Sequence, residues 1–306
     1  MKKFSLNTFK FLLFTCFAYL VMLFVWASIA PNKFKPNVSY KLGANGHLFS
    51  RISEIKNQSD VDVLFLGSSH AYRGFDPRIF SKYGYNTFNM GSSAQSPLQT
   101  KVLINRYLDS LNPKLVIYEV FPATFSLDGV ESSLDIVSND RNDFYSLEMV
   151  LKINNIKTYN TFLYALIRDF LGLNESFTES IYKRNDKYVS GGFVENEIEF
   201  FKPFPFEKRE VKIKDYQLES FLEIVKELEI RNIPVILVYA PISKVHYESY
   251  TNTDYFDSLM SSYSDYYNFN EIVYLNDSLH FSDSHHLNQS GVELFNKKLI
   301  EILNKK

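Results

Sequence analysis

The chain has 306 residues, with 33 basic and 35 acidic side chains and a net charge near zero. This length allows one sizeable α/β domain or two small ones. The basic residues form no stripe or long run, so no nucleic-acid partner is expected. The single cysteine, Cys16, lies in an apolar N-terminal segment, which excludes a disulfide elsewhere in the chain.

The N-terminus predicts a membrane anchor over residues 1–31. Residues 11–30 carry no charge and follow Lys2, Lys3 and Lys10. As a helix, this run is long enough for a bilayer core of roughly 30 Å. The short basic side favours a cytoplasmic N-terminus, with the remaining chain outside the cytoplasmic (inner) membrane. A signal peptide cleaved after Ala30 is the alternative, although its apolar region is usually about 7 to 15 residues long.

The chain beyond the anchor alternates between strand and helix patterns. Residues 32–57 have no clear periodicity and are predicted to be a linker to an α/β domain over 58–306. Strands are predicted at 61–66, 85–90, 115–121, 233–240 and 272–275, and helices at 97–111, 218–228 and from Asn288 onward. This alternation predicts a three-layer α/β fold with a central parallel sheet, and a site at the carboxyl ends of its strands.

The alternation stops at about residues 124–215, which are predicted to be an insertion. Helical patterns at 147–156 and 159–171 precede an aromatic run at 200–206. Because the insertion follows the third strand, we interpret it as a lid or a substrate platform over the catalytic edge. A structural elaboration without substrate contact is the alternative.

Two distant motifs predict a Ser-His-Asp triad. Ser69 ends the sequence Gly-Ser-Ser directly after the first predicted strand, and Asp283 stands three residues before His286, ahead of the final helix. A serine hydroxyl needs a base such as His286 to become an effective nucleophile. Asp283 would fix the histidine tautomer and stabilise the imidazolium. Since more than two hundred residues separate the motifs, this pairing is a prediction about the fold.

Other residues are candidates around this triad. The backbone N–H groups of Ser69 and Gly91 are predicted to form the oxyanion hole. Ser68, His70, Glu119 and His285 are candidates to line the site. Glu119 is expected either to orient the turn at residues 68–69 or to pair with Arg73.

Each motif also has a simpler interpretation. Ser69 can cap the following segment, and His285 can replace His286 as the base at the cost of the three-residue spacing. A metal site could use imidazoles and carboxylates of the C-terminal group, but no helical HExxH spacing is present, and neither a metal nor a cofactor is predicted. That group comprises His280, Asp283, His285 and His286.

These motifs resemble those of the SGNH or GDSL hydrolase-like superfamily. Its Gly-Asp-Ser block corresponds to residues 67–69, the glycine of its second block to Gly91, and its Asp-x-x-His block to residues 283–286. The resemblance covers roughly residues 60–125 and 215–306. It implies that Ser69 is the nucleophile and that Asp283 and His286 complete the triad.

Two departures from the family pattern affect the expected activity. Ser68 replaces the usual aspartate, as in the branch that resembles the extracytoplasmic proteins of teichoic-acid D-alanylation and polysaccharide O-acetylation. The third block, Gly-x-Asn-Asp, is missing, and residues 119–122 read Glu-Val-Phe-Pro instead. In the family this asparagine completes the oxyanion hole, so the resemblance implies a weaker hole.

The resemblance implies a membrane-anchored, extracytoplasmic serine acyltransferase. Its expected reaction is O-acylation, especially acetylation, of a cell-envelope glycan through an acyl-Ser69 intermediate. The expected partners are that glycan or an acylated small molecule, together with a membrane-bound O-acyltransferase. A carbohydrate or lipid esterase is the first alternative. A non-catalytic anchored scaffold or glycan-binding module is the second.

Overall fold

The computed structural model describes residues 1–43, 45–197 and 199–305. These residues form two compact units, each built from two stretches of chain. The first unit contains residues 1–42 and 133–178, and the second contains residues 43–132 and 179 to the C-terminus. The predicted insertion is therefore divided, because its helical part belongs to the unit that also contains the N-terminal helix.

The described residues contain eight strands in two sheets. The strands are β1 (Val63–Leu66), β2 (Thr87–Asn89), β3 (Leu115–Glu119), β4 (Tyr182–Lys183), β5 (Asp186–Val189), β6 (Phe193–Asn196), β7 (Val235–Tyr239) and β8 (Asp265–Asn268). The α-helices are α1 (Lys2–Ile29), α2 (Leu48–Ile55), α3 (Ser69–Gly74), α4 (Pro77–Ser81), α5 (Pro97–Leu111), α6 (Val130–Asn139), α7 (Phe144–Ile153), α8 (Ile156–Phe170), α9 (Asp215–Ile230), α10 (Lys244–Tyr247), α11 (Thr253–Ser261), α12 (Phe269–Ile272), α13 (Asp277–His280) and α14 (Gln289–Leu303).

The larger sheet confirms the predicted α/β fold with a central parallel sheet. Its five strands have the order β2-β1-β3-β7-β8, and every neighbouring pair is parallel. Because the strands run in the same direction, their carboxyl ends meet at one edge of the sheet. The remaining strands, β4, β5 and β6, form a separate antiparallel sheet.

Alternate side chains of the central strands face two helical layers. On one face, Phe65 stacks on Phe75 with 4.3 Å between ring centroids, in a cluster that also contains Phe295 of α14. On the other face, the ring of Tyr118 lies 5.7 Å from that of Phe221 in α9. Strands covered on both faces are buried throughout, which explains why β1 is apolar at every position.

The predicted starts of α14 and α5 are confirmed. Asn288 precedes α14, and its side chain accepts a hydrogen bond from the backbone N–H of Gly291 at 3.2 Å. Pro97 is in the first turn of α5, where its missing N–H leaves no bond unmade. These signals are local, so the sequence was sufficient to predict them.

The last predicted strand was wrong. Residues 272–275 are not a strand, and the edge strand β8 lies earlier, at Asp265–Asn268. Asn268 then caps the short helix α12 by accepting from the N–H of Asn270 at 3.1 Å. An edge strand is only partly covered, so its polar and tyrosine-rich sequence lacks the apolar run that marks a central strand.

The predicted linker at 32–57 contains part of the core of the second unit. Leu48, Ile52 and Ile55 on α2 are buried. Arg51, also on α2, is fully buried and donates to the carbonyl oxygens of Gly46 and Gly192, each at 2.9 Å. A buried arginine among prolines and glycines obscured the helical periodicity in the sequence.

The N-terminal helix α1 is confirmed as a long apolar helix. It is the one described helix that is long and apolar enough to cross a bilayer, and most of its surface is exposed. Only Leu23 and Ala27 of this helix are buried. The exposed apolar surface is the property required of a lipid-facing helix.

Gly192, directly before β6, lies close to Asn89 of β2 in the main sheet. Its φ is +83°, and an added Cβ would overlap the carbonyl oxygen of Asn89. Gly84 has nearly the same φ, +85°, but open space around it. We expect Gly84→Ala to cost about 1 kcal/mol of unfolding free energy from backbone strain alone. Gly192→Ala should cost at least about 2 kcal/mol more from the overlap.

Chemical unfolding of the two variants beside the wild type measures this difference. Gly84→Ala is the control for the backbone conformation. Equal losses in both variants would contradict the close approach of Gly192 to Asn89.

Candidate active site

Ser69 is held at the carboxyl end of β1, on the first turn of α3. Ser68 caps this helix by accepting a hydrogen bond from the backbone N–H of His70. Gly67 has a φ of +136°, and an added Cβ would lie 2.6 Å from Oε2 of Glu119 and 2.7 Å from its Cβ. The turn therefore requires glycine both for its backbone conformation and for the space beside Glu119.

The structure brings Ser69, His286 and Asp283 into one hydrogen-bonded chain. Nε2 of His286 lies 2.8 Å from Oγ of Ser69, and its Nδ1 lies 2.7 Å from Oδ2 of Asp283. Oδ1 of Asp283 accepts from the backbone N–H groups of His285 and His286, each at 2.8 Å. These bonds hold Nδ1 as the protonated nitrogen, so Nε2 is free to accept the serine proton.

Asp283 remains ionised in this arrangement. Its partial burial acts to raise the pKa of the carboxyl group, but the hydrogen bond from His286 and the neighbouring imidazoles outweigh it. The net pKa of Asp283 is well below its usual value. The carboxylate can therefore stabilise a positive charge that forms on His286.

His285 is oriented differently from His286. Its Nδ1 lies 3.1 Å from Oγ of Ser284 and 3.5 Å from Oδ1 of Asp283. Burial, followed by the charge of His286, lowers the pKa of His285 to about 4. The hydrogen bond to Ser69 belongs to His286, so the geometry favours His286 over His285 as the base.

The same residues also provide a set of metal-ligand atoms. Atoms of Asp283, His285 and His286 all lie within 4.8 Å of one another. His280 does not join them, because its Nδ1 accepts from the backbone N–H of Asn276 at 2.8 Å. Both ring nitrogens of His286 already have partners, so a metal bound by His286 would displace Ser69 or Asp283. The observed contacts favour the triad.

Glu119 orients the turn at residues 68–69. Its Oε2 accepts from the backbone N–H of Ser68 at 3.0 Å and from the Ser68 hydroxyl at 2.9 Å. Arg73 instead forms a bidentate ion pair with Asp186, at 2.9 and 2.8 Å. Of the two alternatives for Glu119, the structure therefore contains the contact with the turn.

His70 is buried behind the triad. Since the hydroxyl of Ser68 donates to Glu119, it accepts from Nδ1 of His70 at 3.0 Å. The His70 ring stacks on His286 with 5.3 Å between centroids and lies 4.3 Å from the ring of Phe121. Burial, with the charge of His286 next, holds the pKa of His70 well below its usual value. A neutral imidazole can thus support the ring of His286 without charge repulsion.

The backbone N–H of Gly91, predicted to be an oxyanion donor, already has a hydrogen-bond partner. It donates to Oδ1 of Asn89 at 2.9 Å, while Nδ2 of Asn89 donates to the carbonyl of Ala71 at 2.7 Å. In the described residues, the N–H groups of Ser69, Ser93 and Ala94 have no hydrogen-bond partner. Gly91 thus differs from the prediction because an asparagine two residues earlier takes up its donor.

A cleft of about 410 Å³ lies over the triad. Ser69, His285 and His286 form one side of the cleft, and Asp186 of β5 contributes another wall. The strand part of the predicted insertion therefore reaches the cleft through Asp186. Residues i and i+4 share a helix face, so the sequence could place Arg73 on the same side of α3 as Ser69. Asp186 itself had no such signal. The remaining lining residues are Gly46, Ser68, His70, Tyr72, Arg73, Ser93, Ala94, Phe121, Ala123, Thr124 and Leu127.

No protein-family model matches this chain, and no curated protein sequence matches it. Among solved structures, a proposed acylhydrolase from Bacteroides fragilis is similar at 12% identity and a TM-score of 0.43, over 86% of this chain and 98% of that chain. A GDSL-like lipase from Bacteroides thetaiotaomicron is similar at 10% identity and a TM-score of 0.42, over 85% and 98% of the two chains. Similarities at this level do not indicate an activity, which must be inferred from the site itself.

The raised pKa of Glu119 predicts that the stability of the fold depends on pH. Burial, partly offset by the hydrogen bonds from Ser68, raises the pKa of Glu119 from 4.5 to about 7. Its stabilisation is complete below pH 4.5 and is lost as the pH rises through about 7, because the unfolded carboxyl ionises first. Between pH 5 and pH 8 we expect the wild type to lose on the order of 2–3 kcal/mol from this group.

Urea unfolding of the wild type and Glu119→Gln at both pH values tests this. The glutamine oxygen can still accept from Ser68 but cannot ionise, so the variant should lack this loss. Glu293→Gln on the exposed surface of α14 is the control and should follow the wild type. Parallel pH profiles for Glu119→Gln and the wild type would refute the prediction.

Proposed function

We propose that this protein is a serine acyltransferase or esterase that forms an acyl ester at Ser69. The observation that carries the proposal is the hydrogen-bonded chain from Ser69 through His286 to Asp283, with distances of 2.8 and 2.7 Å. Hydrogen bonds of this length place the base within reach of the proton that it must remove. The resemblance of the three sequence blocks to the SGNH or GDSL superfamily supports the same assignment.

In the first half of the reaction, Oγ of Ser69 attacks the carbonyl carbon of an acyl donor. The serine proton passes to Nε2 of His286 as the new carbon–oxygen bond forms. Asp283 stabilises the imidazolium through Nδ1. Negative charge develops on the former carbonyl oxygen. The candidate donors to it are the N–H groups of Ser69, Ser93 and Ala94, which line the cleft and have no partner among the described residues.

The tetrahedral intermediate then collapses. The bond from carbon to the leaving oxygen breaks, and the leaving group takes the proton from His286. In the second half, a hydroxyl group gives its proton to Nε2 of His286 and attacks the acyl-Ser69 carbonyl. Collapse returns the proton to Ser69 and releases the acylated product.

The hydroxyl in the second half decides between transfer and hydrolysis. We propose a cell-envelope glycan as the acceptor and a membrane-bound O-acyltransferase as the partner that supplies acyl groups. Support comes from the apolar helix α1 and from the replacement of the family aspartate by Ser68. In this proposal the α/β unit lies outside the cytoplasmic (inner) membrane, with α1 as its anchor.

Hydrolysis is the second candidate, favoured by the access of solvent to the triad. The side chain of Asp283 is half exposed, and that of His286 retains 16% of its accessible area. Water that reaches this region can compete with a glycan hydroxyl for the acyl-enzyme. A scaffold or glycan-binding role without catalysis would not need the three triad residues in hydrogen-bond contact.

Substitution of the triad tests the assignment. With p-nitrophenyl acetate, we expect Ser69→Ala to show no acetyl adduct by intact mass, and His286→Ala to lose at least ~10³-fold in turnover. Asp283→Asn should lose about 10⁴-fold, because the amide stabilises the wrong tautomer of His286. His285→Ala is the matched control from the adjacent position and should retain most of the turnover.

An equal loss in His285→Ala and His286→Ala would argue against His286 as the base. A wild-type protein that forms no adduct, and that also remains inert toward a phosphonate ester, would favour the scaffold over the enzyme.

The fate of the acyl group distinguishes transfer from hydrolysis. We expect acetyl-Ser69 to lose its label faster with envelope oligosaccharides than in buffer, with the acetyl group recovered as an ester of the sugar. Mass spectrometry of the protein and the glycan measures both products. Free acetate as the sole product at the same rate with and without glycan would identify an esterase.

A further inference from the structure

We propose that one face of the α7–α8 pair inserts into the outer leaflet of the bilayer that α1 crosses. This apolar face consists of Phe144, Leu147, Leu151, Ile156, Leu166 and Phe170. The proposal rests on the anchor in the proposed function and adds a second membrane contact, formed by a segment that is distant from α1 in sequence.

The apolar face is exposed to an unusual degree. Phe170 is 90% exposed, Phe144 is 73% exposed, and Leu151 and Ile156 are each more than half exposed. Large apolar side chains that occur singly on a protein surface need no explanation, whereas a contiguous group of them marks an interaction site. Two short helices here hold six such residues.

The spacing places these residues on one side of each helix. On α7, Phe144, Leu147 and Leu151 follow the pattern i, i+3, i+7. On α8, Leu166 and Phe170 are four residues apart, and Ile156 lies on the same side two to three turns earlier. Since α7 and α8 also pack against each other, the two stripes belong to one helical pair.

Direct contacts join α8 to the outer half of α1. The hydroxyl of Tyr19 donates to Oδ1 of Asn160 at 2.6 Å, and the hydroxyls of Ser28 and Tyr164 are 3.2 Å apart. The rings of Phe24 and Tyr164 are 5.7 Å apart between centroids. These contacts fix α8 beside residues 19–28 of α1.

The predicted span of α1 determines the depth of these contacts. If residues 11–30 cross the bilayer, Tyr19 lies roughly 16 Å along the helix from the outer end of the span, about the middle of the hydrocarbon core. Any element that contacts residues 19–28 of α1 then lies at the depth of the outer leaflet. That element is α8, and α7 packs against α8.

The surroundings of α8 fit a low-dielectric environment. On the free side of α1 at the same level, Met22, Trp26 and Ile29 are all exposed and apolar. On the inner side of α8, Oγ1 of Thr161 has a partner within the unit, since it accepts from the N–H of Ser39 at 2.9 Å. Lipid is therefore the occupant that suits both exposed apolar surfaces.

The test uses the full chain with Cys16→Ala, reconstituted alone in phosphatidylcholine–phosphatidylglycerol vesicles. Single cysteines replace Phe144, Leu151 or Phe170 and are labelled with a nitroxide. Tyr274→Cys is the matched control, because Tyr274 is 88% exposed but belongs to the α/β unit. Phe14→Cys reports on the anchor itself. Collision of the label with oxygen, against collision with a water-soluble nickel chelate, distinguishes lipid from water.

We expect the labels at positions 144, 151 and 170 to collide with oxygen and to lose nickel broadening, and the label at 274 to do the reverse. Nickel access at all three positions, with position 14 in lipid, would overturn this inference and leave the anchor intact. Nickel access at position 14 as well would overturn the anchor on which it rests.

Two further measurements separate lipid from a second copy of the chain, and membrane contact from catalysis. Spin–spin broadening at position 170, without oxygen access, would overturn the proposal by identifying a second copy of the chain as the occupant. Acylation of Ser69 in the same vesicles is measured separately by intact mass. A failure of catalysis with lipid access at positions 144, 151 and 170 would therefore leave the membrane contact supported.

Discussion

The register between β1 and β3 controls the geometry of the candidate site. Leu66 pairs with Tyr118, so the next residues, Gly67 and Glu119, lie side by side at the carboxyl edge of the sheet. The carboxylate of Glu119 can then accept both the N–H and the hydroxyl of Ser68. A shift of this register would separate the carboxylate from the turn and release Ser69 from its orientation.

The burial of Glu119 makes this arrangement costly and specific. A carboxyl group removed from water is stable only with good hydrogen-bond partners or as the neutral acid. Glu119 accepts two hydrogen bonds from Ser68, and its burial raises its pKa to about 7. Its second oxygen has no hydrogen-bond partner among the described residues and lies 4.0 Å from Nδ1 of His70. The same group thus links the turn at residues 68–69 to the imidazole that packs against His286.

The other half of the triad depends on the segment before α14. The carbonyl of Ser284 accepts from both the N–H and the hydroxyl of Ser243, at 3.1 and 2.7 Å. The N–H of Ser282 donates to the carbonyl of His286 at 2.9 Å. These bonds close the compact loop between α13 and α14 and tie it to Ser243, which leaves Asp283 and His286 little freedom. Such preorganisation lowers the entropy cost of catalysis.

The sequence alone determined the features that depend on neighbouring residues. The apolar helix α1, the central strands and the capped helix α14 follow from composition, periodicity and capping, all of which act over a few residues. The three-residue spacing of Asp283 and His286 also indicated their joint role, because both side chains belong to one short loop. Ser69 was recognisable because a glycine-containing turn follows a buried strand.

Only the tertiary structure decided the features that depend on distant contacts. It assigned Glu119 to Ser68 and Arg73 to Asp186, and it showed that Asn89 occupies the N–H of Gly91. It also divided the predicted insertion between two units. Hydrogen bonds and packing across tens of residues leave no periodic trace in the sequence, since each partner needs only the right position in the folded chain.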